Sequence, residues 1–124
     1  MSDDASLRRE AYSRGRRAER LAAWWLRLKG YRILARGWRS RLGEIDLIAK
    51  RGSVLVFVEV KRRNEEAAAM RAISLRQRQR IARAARLFLQ QNPQFSLCAC
   101  RFDALLLYPG RLPLHLPDVW REGG

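Results

Sequence analysis

The apolar positions of the chain change period several times, and each change marks an element. Over residues 8–29, Ala11, Ala18, Leu21, Ala22, Trp25 and Leu28 recur at three- and four-residue spacing, which gives a helix one apolar stripe. Lys29 and Gly30 supply a basic last turn and a C-cap. Gly15 inside this helix costs up to about 1 kcal/mol relative to Ala, so it marks a close backbone approach or a break. Tyr31 to Gly37 reads as a short, partly exposed strand and 38–43 as a loop or bend. A second strand runs from Glu44 to Ala49, with Lys50 to Ser53 as a hairpin turn. The third, Val54 to Lys61, is β-branched or aromatic on both faces until Glu59, as expected of a central strand covered on two sides.

From 62 to 72 the pattern is lost, and a loop is expected. A second helix spans Ser74 to Gln91, with Ile81, Ala84, Ala85 and Phe88 facing inward, and Asn92-Pro93 ends it. Phe95 to Leu107 forms a fourth strand and Tyr108 to Arg111 a turn. Leu112 to Leu116 forms a short edge strand, where Pro113 and Pro117 are tolerated. The order α-β-β-β-α-β-β predicts an α/β fold with a mixed central β-sheet flanked by helices. At 124 residues the chain suits a single domain over 1–124, with frayed termini at about 1–6 and 121–124.

Charge turns this outline towards a partner. Twenty-six Lys and Arg against twelve Asp and Glu give a formal +14, a self-repulsion that a polyanion offsets. A general compositional bias towards Arg is the competing explanation. The second helix carries Arg76, Arg78, Arg80, Arg83 and Arg86 and no acid, whereas a merely solvated face mixes signs. Arg16, Arg20, Arg62, Arg76, Arg80 and Arg83 are the candidate nucleic-acid contacts. Cys98 and Cys100 are too close along a strand for a relaxed disulfide, and with one His in the chain they make a zinc site improbable. Free, buried thiols in a reducing compartment are expected. The N-terminus has no signal-peptide apolar region, and no apolar run approaches eighteen residues. A cytoplasmic protein without membrane insertion follows, and no motif asks for a small-molecule cofactor.

Strand alternation gives these elements their chemistry. Glu44, Asp46 and Ile48 share one face of the second strand, and Leu55, Phe57, Glu59 and Lys61 share one face of the third. If the two form a hairpin, Asp46 lies opposite Glu59 at about 4.8 Å, close enough to share a divalent cation. Mg²⁺ (or Mn²⁺) takes oxygen ligands and keeps several waters, so Asp46, Glu59 and the backbone carbonyl of Val60 make a sufficient shell. Such an ion polarises a phosphate oxygen and acidifies a water, and Lys61 would orient that water or neutralise developing charge. An ordinary Glu59–Lys61 ion pair is the bland alternative. Glu19, on the flank of the first helix, is a further acid or a local partner for Arg16, Arg17 and Arg20. Gln77 is a capping or core-edge residue or an active-site polar group. Asp103 is expected to tie down a backbone or an Arg, and His115 is given no catalytic role. Trp24 and Trp38 are exposed aromatics that would serve an interface, the core or base stacking.

Four segments, Gly15–Glu19 (GRRAE), Gly30–Leu34 (GYRIL), Gly43–Ala49 (GEIDLIA) and Val56–Arg62 (VFVEVKR), together resemble the small bacterial YraN family (UPF0102). The resemblance runs from about residue 10 to the edge strand. Arg78–Ile81 and Arg101–Asp103 also look like family segments. That family is regarded as endonuclease-like and resembles archaeal Holliday-junction resolvases and the restriction-endonuclease-like fold, whose signature is an acid followed by acid-x-Lys. The resemblance implies Glu19, Asp46, Glu59 and Lys61 as catalytic residues, with Asp46, Glu59 and in some readings Glu19 as metal ligands. No Pro precedes Asp46, where the broader signature often has one. The leading expectation is a Mg²⁺-dependent DNA endonuclease, branched DNA being the substrate the resemblance suggests, with a homodimer bringing two sites to opposing strands. The alternatives are a non-catalytic nucleic-acid-binding or adaptor module and a structural partner in a protein complex.

Overall fold

A computed structural model describes residues 16–62 and 74–120. The frayed termini at 1–6 and 121–124, the start of the first helix with Gly15, and most of the loop expected after Arg62 lie outside the described residues. Helix α1 covers residues 16–28. Strands β1 (Arg32–Ser40), β2 (Gly43–Arg51) and β3 (Val54–Arg62) follow, then α2 (Leu75–Gln91), a 3-10 turn (Pro93–Phe95), β4 (Ala99–Leu107) and β5 (Leu114–Trp120). The five strands form one sheet in sequence order. Neighbours are antiparallel except β3 and β4, which are parallel, as the crossover through α2 requires. This is the mixed α/β sheet flanked by helices that the element order predicts.

The helices cover opposite faces. Ile81, Ala84, Ala85 and Phe88 of α2 pack on Ile48, Leu55, Phe57, Phe102 and Leu106. Ala18, Ala22, Ala23 and Leu26 of α1 pack on Leu47, Ala49, Val56, Val58 and Leu105. Leu55, Val56, Phe57 and Val58 are all buried, so β3 is the two-sided central strand. The α2 side has an aromatic centre, Phe57 stacking on Phe102 and meeting Phe88 edge-on. The α1 side is built on alanines, which lets that helix lie close to the sheet.

Local signals explain the boundaries. The Gly30 N–H donates to the Arg27 carbonyl and the Tyr31 N–H to the Leu26 carbonyl, while Gly30 takes φ +91°. This is a Schellman end for α1. Ser74 caps α2 by accepting from the Gln77 N–H at 3.2 Å, and Pro93 lies just beyond its end.

Several expectations need correction. Leu21 and Leu28 of the expected stripe are 52% and 70% exposed; Ala18, Ala22 and Trp25 face inward as expected, and Ala23 and Leu26 join them. β1 continues through the stretch expected to be a loop, because Trp38 packs edge-on against Phe88 and is only partly exposed. β4 starts at Ala99, after the 3-10 turn, and β5 runs on to Trp120. Cys100 is exposed and Cys98 partly so, both free; Cys98 precedes β4 and packs at the margin of the α2-side core, and Cys100 is the second residue of β4.

Candidate active site

The acids gather where β2 loses its regular pairing. β2 and β3 stay in register from Arg51 opposite Val54 to Leu47 opposite Val58. One step further the register sets Asp46 against Glu59, as the hairpin argument expects, but there the ladder stops. Asp46 Oδ2 accepts from the Val60 N–H at 2.8 Å, so a side chain takes the donor that a strand partner would have used. Ile45 and Ile48 both join the α2-side core, which strict alternation forbids for residues three apart. Alternation therefore breaks at Asp46–Leu47, and Glu44, Asp46 and Ile48 do not share one face.

The break turns Asp46 and Glu44 towards α1. Carboxylate oxygens of Glu19, Glu44 and Asp46 lie within 4.8 Å of one another. Glu19 reaches them over Gly37, which takes φ +60° and whose added Cβ would stand 3.3 Å from Glu19 Oε2. Glu59 joins through Asp46 on the other strand. Its Oε1 accepts from Gln77 Nε2 at 2.6 Å and lies 3.2 Å from Lys61 Nζ. The structure thus brings together Glu19, Asp46, Glu59, Lys61 and Gln77, with Gln77 at the edge of the acid cluster through its bond to Glu59. It adds Glu44, which the sequence reading put beside Asp46 without giving it a role. The i, i+2 spacing was the available signal. What Val60 contributes to the described contacts is its N–H.

The electrostatics are those of acids crowded by acids. Burial, and then the Asp46 carboxylate, push the Glu59 carboxyl up to about 7, against the opposing pull of Lys61. Burial raises Asp46 as well, opposed by the Val60 N–H. Glu19 is raised by burial, then by Asp46 and Glu44. Three proton affinities lifted at one point, each by burial first, describe acids crowded together at a partly desolvated position.

The basic candidates divide. Arg16 and Arg20 line a cleft of about 500 Å³ beside Glu19 and Glu44, joined there by Arg36 and Arg39 of β1, which the sequence reading left in a strand and a loop. Arg76, Arg80 and Arg83 lie on the exposed face of α2, with Arg80 against Gly43 at the start of β2. Arg62 is exposed at the end of β3. Arg78 lies over the Trp120 ring at 5.9 Å and belongs to the packing. Asp103 ties down both a backbone and an arginine. It is fully buried, accepts two bonds from Arg101 at 2.9 Å and one from the Asp118 N–H, and meets His115 Nε2 at 2.7 Å.

The model of the Uncharacterised protein family UPF0102 matches residues 18–107, the span holding every acid of this site. The chain belongs to the UPF0102 family. A UPF0102 protein of Paramagnetospirillum magneticum is 51% identical over 115 residues, covering 90% of this chain and 89% of its own. One from Rhizobium leguminosarum is 48% identical, covering 96% and 98%, and one from Parvibaculum lavamentivorans is 50% identical, covering 90% and 84%. These UPF0102 relatives match nearly end to end, so the acid cluster and both helices fall within the shared length. Among the described residues, no helix is long and apolar enough to cross a membrane.

Proposed function

We propose that this UPF0102 chain is a divalent-metal-dependent nuclease that hydrolyses phosphodiesters in DNA, branched DNA included. The observation that carries this reading is the convergence of Glu19, Glu44 and Asp46 within 4.8 Å, with Glu59 beside Asp46 and Lys61 paired to Glu59, in a chain of formal charge +14. The donor set fits Mg²⁺ or Mn²⁺: every ligand is a hard oxygen, and the raised proton affinities of Asp46, Glu59 and Glu19 are what a cation would relieve. Glu19, Glu44 and Asp46 would hold it, with Glu59 beside them. The ion would supply charge stabilisation at the phosphoryl oxygen and acidify the attacking water.

The protein groups have separable tasks. Gln77 fixes the Glu59 carboxyl by one bond, so Glu59 faces Asp46 in a single orientation. Lys61, with 17% of its side chain exposed, offers a cation at the edge of the site that can neutralise charge on the leaving or non-bridging oxygens. The Val60 N–H holds Asp46 in place.

The test is cleavage of four-way junction, flap, single-stranded and linear duplex DNA with Mg²⁺ or Mn²⁺. Asp46→Asn and Glu59→Gln proteins are run alongside. Each variant should lose about 10²–10³-fold or more in rate while keeping DNA affinity. Cleavage persisting in a clean preparation of either variant overturns the reading. One observation favours a second reading, a non-catalytic nucleic-acid-binding module: Glu59 is already held by both Lys61 and Gln77, as in a structural ion pair. Calorimetry finding no Mn²⁺ binding to the wild-type chain would select it.

A further inference from the structure

The cleft beside the acids has two basic banks. Arg16 and Arg20 come from α1 and Arg36 and Arg39 from β1, and they line the cleft together with Glu19 and Glu44. Gly37, between the two β1 arginines, adds no side chain to the floor. Arg36 is exposed, and 68% of the Arg39 side chain is too. Its contact with Glu44 is 3.7 Å, an exposed ion pair of the kind worth little, so Arg39 can exchange Glu44 for a better acceptor. Four guanidiniums around a carboxylate cluster suit a ligand that presents anionic oxygens on both sides of a cation. Guanidinium forks match phosphate oxygens in particular.

The size of the cleft narrows the ligand further. About 500 Å³ is the scale of a site for one small ligand. Specific duplex complexes bury roughly 1,000–2,500 Å² of protein over a broad face. A single strand is instead tracked by a narrow basic groove that follows one backbone. We infer that Arg36 and Arg39 of β1, with Arg16 and Arg20 of α1, clamp the phosphodiester backbone of one unpaired strand, so that the chain takes single-stranded or locally unpaired nucleic acid in preference to intact duplex. The inference rests on the nuclease reading for its orientation: the clamp holds the phosphates flanking the one over the acids.

Binding and cleavage separate the two claims. Fluorescence anisotropy in EDTA, with a short labelled oligothymidylate and a linear duplex of equal length, reads the clamp alone. The wild-type chain should bind the single strand about tenfold or more tightly than the duplex. Arg36→Ala/Arg39→Ala should lose about tenfold or more on the single strand, and its salt slope should shrink by about 0.7 per contact removed. Arg27→Ala/Arg111→Ala, which removes equal charge at exposed positions elsewhere, should stay near wild type. Arg36→Gln/Arg39→Gln repeats the test with the side-chain stems largely kept. A β1 double variant within twofold of wild type, or duplex bound as tightly as single strand, overturns the clamp. If the clamp results hold and wild-type protein fails to cut any DNA with Mg²⁺ or Mn²⁺, the hydrolysis reading falls and the clamp stands. If cutting occurs and the β1 variant binds normally, the reverse follows.

Discussion

Asp103 and Glu59 sit on adjacent strands of the same sheet, are both buried, and are treated oppositely. Around Asp103 the fold supplies Arg101, His115 and the Asp118 N–H. β5 accommodates this with a register shift where Asp103 faces it, and Asp118 takes φ +54°. Arg101 reaches on to the Tyr31 hydroxyl at 2.6 Å, tying the network to the end of α1. Burial pulls the Asp103 proton affinity up, but these bonds outweigh it and hold the carboxyl below its ordinary range. Glu59 also has partners, Lys61 at 3.2 Å and the Gln77 amide at 2.6 Å, but burial and the neighbouring Asp46 carboxylate outweigh Lys61, and the carboxyl rises to about 7. A buried acid answered by bonds is scaffold. A buried acid whose bonds fall short of its burial, with another acid beside it, carries a cost that binding a cation would offset.

The largest expected effect is at the answered acid. Asp103→Ala leaves Arg101 and His115 facing a buried gap, and breaking such a pair costs about 3–5 kcal/mol. Thermal melts should show a fall of about 10 °C or more. Because the Asp103 carboxyl is held low in the fold, its contribution is present above the ordinary carboxylate range and lost as pH falls through its depressed value. The penalty of Asp103→Ala should therefore shrink in acid. A penalty under about 1 kcal/mol at pH 7 would mean that the network is not what holds β5 to β4, and the comparison would lose its first half.

At Glu59, whose burial is answered only in part, the sign reverses. Glu59 holds a proton in the fold between about 4.5 and about 7 that the unfolded chain releases, so without metal its contribution to stability falls as pH rises through 7. Glu59→Gln should stabilise the metal-free chain by about 1 kcal/mol at pH 8, once the loss of the Lys61 partner is set against the gain, and by less at pH 5. Mn²⁺ should stabilise the wild-type chain more at pH 8 than at pH 5, since protons compete for the ligands. It should stabilise Glu59→Gln less than wild type. Melts at two pH values with and without Mn²⁺ read all four terms. A Glu59→Gln protein less stable than wild type at pH 8 would place Glu59 with Asp103 among the structural acids.

How much of this the sequence carried depends on the range of each interaction. The element order, the two-sided β3, the inward face of α2 and the Asp46–Glu59 register followed from local periodicity and turn spacing. The inward face of α1 followed only in part. Ala18, Ala22 and Trp25 belong to the expected stripe, but Leu21 and Leu28 stood in it instead of Ala23 and Leu26, because alanines and leucines score alike as apolar. Only packing on the sheet selects Ala23 and Leu26 over Leu21 and Leu28. The continuation of β1 through Trp38 depends on Phe88, fifty residues later. Within the site, Glu44 was visible as a neighbour of Asp46. The break in alternation that turns both towards Glu19 is a backbone event without a sequence signature, since Ile45, Leu47 and Ile48 are apolar whichever way they face. The role of Arg36 and Arg39 depended on β1 lying across from α1, a tertiary fact.

The smallest effect discriminates most finely between the two kinds of acid. Gly37 takes φ +60°, and a Cβ there would meet Glu19 Oε2 at 3.3 Å, whereas Gly52 and Gly110 take φ +61° and +70° with nothing within 4 Å. Alanine at any of the three carries the left-handed strain of roughly 1–2 kcal/mol. Only at Gly37 does the same methyl also press on a candidate ligand. Gly37→Ala should therefore resemble Gly52→Ala and Gly110→Ala in its thermal melt to within about 1 kcal/mol. It should bind Mn²⁺ several-fold more weakly than either, because Glu19 must shift by a few tenths of an ångström to make room. If Gly37→Ala loses stability like the controls but binds Mn²⁺ like wild type, Glu19 is outside the ligand set. The cation would then be left to Glu44, Asp46 and Glu59 on the two strands. If the three variants part in stability while sharing one Mn²⁺ affinity, the contact over Gly37 is packing, and Glu19 belongs with the scaffold acids.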